Sequence, residues 1–185
     1  MDLSSGKTGT EPLGEDLAKG YIGGIGLGMR LLHDNSKPGV DPLGPENPLV
    51  LVTGPLTGTM APTAGNGIAF VAKSPLTGGV GEAKSHGFFG ADLKRAGYDA
   101  VIFEGRSEKP VYVWIDDDSV QMMDAKPLWG KSPAETEEAI REDLGDFYVR
   151  VAAIGPAGEK LSRVACIIND RTRAAGRTGM GTVMG

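Results

Sequence analysis

Two short apolar runs, each closed by nearly the same turn, limit the fold more than any other feature. Leu49–Thr53 runs into Gly54-Pro55-Leu56-Thr57-Gly58, and Gly67–Lys73 runs into Ser74-Pro75-Leu76-Thr77-Gly78. Apolar runs of this length bounded by Gly and Pro read as buried strands. Further on, a helix Phe89–Ala96 leads into a strand Ala100–Glu104, and strands Val111–Ile115 and Ser119–Met122 form a hairpin across Asp116-Asp117-Asp118. Ser132-Pro133-Ala134-Glu135 has the capping-box pattern with proline at the first helical position, opening a helix that stops near Gly145. Strands Tyr148–Ile154 and Arg163–Ile168 follow. Strands outnumber helices without alternating strictly with them, which favours α+β over a parallel doubly wound sheet. Gly155-Pro156-Ala157-Gly158 repeats the Gly-Pro turn after a later strand, and each unit runs on to a glycine-rich stretch, Ser85–Gly90 and Gly176–Gly181. The expected fold is α+β, with two β-rich halves related by internal duplication and helices appended to them.

Of 185 residues, 29 are glycine, roughly twice the usual share. A 40% hydrophobic content supports a packed core, so these glycines are expected where backbone needs positive φ or a close approach. An amphipathic helix from Glu15 puts Leu17, Tyr21, Ile25, Met29 and Leu32 on one face, with Gly20, Gly24 and Gly28 four apart beside it. That glycine stripe is expected to pack tightly on a sheet.

The net charge of −5 speaks against a generic nucleic-acid binder. It is unevenly spread: Glu104–Asp146 holds twelve acidic and five basic residues, whereas Glu159 onward holds two acidic and five basic. The single cysteine, Cys166, excludes an internal disulfide or a cysteine cluster made by this chain alone, and its apolar surroundings read as core. The longest apolar-plus-glycine run, Tyr21–Met29, has nine residues, against the roughly 20 of a membrane span. With no signal-peptide pattern at the N-terminus, the chain reads as soluble and cytoplasmic, with no membrane partner.

Several motifs fail on their spacing. Gly6-Lys7-Thr8 lacks the preceding glycine and strand of a phosphate-binding loop, and Gly23–Gly28 has no G-x-G-x-x-G frame and sits in a helical pattern. Ala83-Lys84-Ser85-His86-Gly87 resembles a nucleophile elbow, but Gly79–Glu82 makes a poor buried strand, so Ser85 reads as a helix N-cap. His33 reads as a surface residue, and neither histidine has metal-ligand spacing. The tail Asp170–Gly181 interleaves three arginines with small residues and glycines. It reads either as a solvated positive loop or as a cradle for an anionic, phosphate-bearing ligand, because arginine forks and glycine backbone both suit phosphate oxygens.

Ile154-Gly155-Pro156-Ala157-Gly158-Glu159, Ile168-Asn169-Asp170 and Arg173-Ala174-Ala175-Gly176-Arg177 strongly resemble the N-terminal domain of aldehyde:ferredoxin oxidoreductases. So do Asp41-Pro42-Leu43, Pro45-Glu46-Asn47, Gly54–Gly58, Ala61-Pro62-Thr63, Lys73–Gly78, Gly87-Phe88-Phe89-Gly90-Ala91 and Ala96–Ala100, in colinear order over nearly the whole chain. The resemblance implies that residues 1–185 form such an N-terminal domain, a fragment without the later helical domains. That domain would be the base for a bis-pterin cofactor carrying tungsten or molybdenum. It further implies a magnesium ion bridging the pterin phosphates, a [4Fe-4S] cluster whose cysteines lie outside this chain, and oxidation of an aldehyde to a carboxylic acid with ferredoxin as electron acceptor. Partners would be the aldehyde-type substrate, ferredoxin, the remaining domains and a second copy in a homodimer.

By the same resemblance, Arg173, Ala174, Gly176 and Arg177 match the pterin-binding stretch, with the Ala174 carbonyl on magnesium. Lys84 stands at the second magnesium-carbonyl position. Asn66 and His86 stand at cofactor positions, in Ala64-Gly65-Asn66-Gly67 and Lys84-Ser85-His86-Gly87. There the best-known aldehyde enzymes carry an arginine and Asn-Ser-Gly-Gly. A non-catalytic glycine-rich domain binding a phosphate-bearing ligand or a partner protein is the alternative expectation. Exposed apolar surface is expected where cofactor and later domains dock.

Overall fold

A computed structural model describes residues 1–62 and 65–185. Thr63 of Ala61-Pro62-Thr63 and Ala64 of Ala64-Gly65-Asn66-Gly67 lie outside the described residues. The helices are α1 (Glu15–Tyr21), α2 (Gly24–Asn35), α3 (Phe89–Arg95), α4 (Pro133–Leu144), α5 (Pro156–Glu159) and α6 (Met180–Met184). The strands are β1 (Leu49–Thr53), β2 (Ile68–Lys73), β3 (Val80–Ser85), β4 (Ala100–Phe103), β5 (Val111–Asp116), β6 (Ser119–Asp124), β7 (Ala152–Ala153), β8 (Ile167–Asn169) and β9 (Arg173–Ala175).

All the strand pairs are antiparallel, in sheets ordered β3-β2-β1-β4, β5-β6 and β7-β8-β9. This is the α+β arrangement expected. The unbroken apolar runs of β1 and β2 follow from burial on both faces. Val50, Val52, Ala69 and Val71 meet Leu27 and Leu32 of α2 on one face. Leu49, Leu51, Ile68 and Phe70 meet Leu93 of α3 on the other, together with Ile167, Ala175 and Met180 from the last quarter of the chain. A smaller cluster packs Ile140 of α4 on Val149 and Val151, with Tyr112 and Trp114 of the hairpin against it. The capping box is present, Ser132 Oγ accepting from Glu135 N–H while the Glu135 carboxylate accepts from Ser132 N–H at 2.8 Å. The Ser132 hydroxyl, donating to the Glu135 carboxylate at 2.7 Å, and then the Ser132 N–H hold that carboxyl below its ordinary range.

The long helix expected from Glu15 is two helices. The chain turns at Ile22, with φ 64°, and at Gly23, where an added Cβ would lie 3.2 Å from both Gly54 Cα and Thr53 O. Only Gly28 of the expected stripe serves packing: its missing Cβ would sit 2.8 Å from Val52 Cγ1 and 2.9 Å from Val71 Cγ2, whereas Gly20 has nothing within 4 Å. The two positions should respond with opposite signs. Gly20→Ala is expected to stabilise by about 0.5–1 kcal/mol through helix propensity. Gly28→Ala is expected to destabilise by about 1 kcal/mol, because overpacking costs about 1–3 kcal/mol against a propensity gain near 1. Urea midpoints of the two variants check this; equal shifts would contradict the packing of α2.

Other elements shrink. The strand expected over Tyr148–Ile154 pairs only at Ala152 and Ala153, because Val149 and Val151 turn into the α4 cluster. The strand expected over Arg163–Ile168 begins at Ile167, and Cys166 before it is half-buried rather than core. The tail is not a loop throughout, since it contains β9 and α6. No helix among the described residues is long and apolar enough to cross a membrane.

Candidate cofactor-binding seam

The site lies where the meander β1-β2-β3 meets the meander β7-β8-β9. The edge strands β3 and β9 run side by side in opposite directions. At one end Thr178 Oγ1 donates to Glu82 O at 2.9 Å, and at the other the Phe88 N–H donates to Asp170 Oδ2 at 2.8 Å. Lys84 and Ala174 lie between those contacts along their strands. Their ladder partners are Ala69 and Ile168.

Alternation along β3 decides what faces out. Ala83, Ser85 and Gly87 are buried, while Lys84, His86 and Phe88 are exposed. Arg173, Ala174, Gly176 and Arg177 are exposed as well. The structure therefore gathers six of the expected site residues along one seam. Asn66 is exposed in the turn before β2, beyond the Ile68↔Ser85 pair and so at the same end of the sheet as His86. Large apolar side chains stand exposed nearby, Phe88 beside His86 and Val80 at the start of β3, both at 59%.

Two expectations about this segment are corrected. Gly79–Glu82 does contribute a strand, β3, whose inward positions must be small. A Cβ on Gly81 would lie 2.7 Å from Met180 Cε and 2.9 Å from Ser74 Cβ, so the run lacks an apolar signature. Ser85 is not a helix N-cap. It ends β3, is buried, and its hydroxyl donates to Asn169 Oδ1. Asp170 serves the first turn of α3 in its place, accepting from the N–H groups of Phe88 and Phe89. Sequence reasoning gave Asn169 and Asp170 no role, although Ile168-Asn169-Asp170 was among the family-like segments.

No ion pair among the described residues involves Lys84, Arg173 or Arg177. By contrast, Arg171 is held by the buried Glu137 at 3.2 Å and Arg150 by Asp92 at 3.2 Å. Three unpaired cations on a seam that also exposes Ala174 and Gly176 suit a multiply charged anion that approaches the backbone. No group of three or more His, Cys, Asp or Glu side chains among the described residues could hold a metal. A metal here would need backbone carbonyls and the ligand's own atoms. A phosphate-bearing cofactor, whose own oxygens would add to the backbone carbonyls, fits that donor set.

The family model described as "Aldehyde ferredoxin oxidoreductase, N-terminal domain" matches residues 1–185. The tungsten-containing aldehyde ferredoxin oxidoreductases of Thermococcus kodakarensis and Pyrococcus furiosus are 52% and 51% identical over all of this chain, which spans 30% of their length. A protein of Pyrococcus furiosus described as an aliphatic sulfonate oxidoreductase, WOR-like subunit, is 34% identical. Among solved structures, the active site complex BamBC of benzoyl coenzyme A reductase, in complex with 1,5-dienoyl-CoA, superposes with a TM-score of 0.96. It is 38% identical, and the match covers all of this chain and 28% of that one.

Proposed function

The chain belongs to the aldehyde ferredoxin oxidoreductase family as its N-terminal domain, and from that premise we propose that it is the base that seats a tungsten bis-pterin cofactor in a longer enzyme. That enzyme would oxidise an aldehyde to a carboxylic acid in the cytoplasm and pass electrons to ferredoxin. When bound, the tungstopterin supplies the redox chemistry, with a [4Fe-4S] cluster held by residues outside this chain.

The residues of this chain bind and orient. Arg173 and Arg177 donate charge-assisted hydrogen bonds to the cofactor. Gly176 would let backbone come close, the carbonyls of Lys84 and Ala174 would hold a magnesium ion, and His86 and Asn66 would complete the contact with the cofactor. The carrying observation is the set of unpaired cations on an exposed seam in a member of this family.

The internal duplication belongs to the same reading, and its support is topological. Helix α2 precedes the meander β1-β2-β3 and helix α3 follows it; α4 and α6 frame β7-β8-β9 in the same way. Each first strand is followed by a Gly-Pro turn. Gly90, second in α3, would put a Cβ 3.0 Å from the carbonyl oxygen of Gly67, just before β2. Gly181, second in α6, would likewise meet the carbonyl of Cys166, just before β8. The registers Ile68↔Ser85 and Ile167↔Ala175 make Lys84 the counterpart of Ala174. On this reading, duplication would supply two equivalent carbonyls for one ion.

The non-catalytic alternative is not favoured, given relatives described as oxidoreductases along this whole chain. Metal analysis of the anaerobically purified full-length protein tests the proposal. Tungsten with about four irons for each cluster is the expected result; a folded full-length protein with neither metal would refute it.

A further inference from the structure

The turn between β8 and β9 reaches across to the first half through the side chains of Asn169 and Asp170. Asp170 Oδ2 accepts from the N–H groups of Phe88 at 2.8 Å and Phe89 at 3.2 Å, and from Asn169 Nδ2 at 2.8 Å. Asn169 is 1% exposed; its Nδ2 also donates to His86 O at 2.8 Å while its Oδ1 accepts from Ser85 Oγ. Gly87 completes the fit. Its φ is +113°, and any Cβ there would run into the Asp170 carboxylate.

The other oxygen, Asp170 Oδ1, is buried without a hydrogen-bond partner and lies 3.8 Å from Arg150 Nη1. Arg150 therefore balances the charge, while Oδ2 is committed to first-half backbone. Both turn residues, Asp170 and Arg171, adopt positive φ. Three residues further on, the same strand presents Arg173.

We infer that Asn169 and Asp170 are positioning residues for the cofactor, a clamp that sets the Lys84–His86 edge against the Arg173–Arg177 edge. The inference rests on the cofactor-seating reading above. The two edges belong to different sheets, so no β-ladder fixes their relative position. The bonds of Asn169 and Asp170 to residues 85–89 do so at the end of β3 nearest His86. A rigid, multiply charged cofactor that spans both edges requires them at one fixed spacing.

The test uses the full-length enzyme with Asp170→Ala, Asp170→Asn and, as a control for lost stability alone, Leu27→Ala in the α2 cluster on the other face of the β1-β2 sheet. Tungsten and pterin per polypeptide, the W(V) EPR line shape and the thermal midpoint are measured. Asp170→Ala is expected to lose at least fivefold in cofactor content, or to broaden the W(V) signal of what it retains. Asp170→Asn, which keeps the acceptor oxygen, should recover at least half the content, and Leu27→Ala should stay full at a comparable midpoint. If Asp170→Ala does not accumulate folded, Asn169→Ser, which withdraws the bond to His86 O, is expected to show the same loss. Wild-type content and line shape in the clamp variant overturn the inference, as does an equal loss in Leu27→Ala. A wild-type enzyme without tungsten or pterin would instead remove the reading beneath it.

Discussion

Phe70→Ala is expected to destabilise the chain by about 3–5 kcal/mol, the cost of deleting a buried aromatic ring together with the cavity it leaves. Phe70 is fully buried at the centre of β2, opposite Leu51 on one side and Ala83 on the other. The same cluster contains Ile167, Ala175 and Met180, so Phe70 belongs to a core built from both halves of the chain. The cavity would therefore open between the halves, where neither sheet can collapse alone to fill it. Against a typical total of about 5–15 kcal/mol, this loss would leave little margin. Urea unfolding followed by far-UV and near-UV circular dichroism measures it. A loss under about 0.5 kcal/mol, typical of a surface site, would mean that the two halves do not share this core.

The double substitution Arg173→Ala with Arg177→Ala should remove cofactor without removing the fold. Both side chains are exposed and neither makes an ion pair among the described residues, so truncation leaves no buried charge stranded. Each charge-assisted hydrogen bond contributes about 1.5–3 kcal/mol, and losing two would weaken cofactor binding at least about a hundredfold. Tungsten content of the full-length variant after gel filtration, at an unchanged thermal midpoint, is the measurement. Lysine at both positions should restore part of the binding, because it keeps the charge but not the planar fork. Wild-type tungsten content in the alanine double variant would remove these arginines from the site.

Legibility varied with how local the controlling physics was. The capping box at Ser132, the stop at Gly145 and the strand Leu49–Thr53 were readable because their causes lie within a few neighbouring residues. The break at Ile22-Gly23 was not, because the helical spacing of Leu17, Tyr21 and Ile25 continues across it. What bends the chain is the approach of Gly23 to Gly54. β3 was missed for a related reason: Gly81 and Ala83 are small to admit Met180, a residue about a hundred positions away. At the seam, Arg173, Arg177 and the glycines between them could be found by composition and by resemblance. Asn169 and Asp170 could not, since an Asn-Asp pair after a strand is ordinary turn chemistry until its partners are known.

The sequence by itself determined the α+β class, the short buried strands, the cationic tail and the family. Those depend on residue type, spacing and order along the chain, which folding does not alter. Only the tertiary structure decided that the tail lies antiparallel to β3, that Lys84 and Ala174 fall on neighbouring edge strands, and that Asp170 bonds to Phe88 and Phe89. Those contacts join residues some ninety positions apart in sequence. They exist because burying Phe70, Ile167 and Met180 in one core forces the edges of the two meanders together.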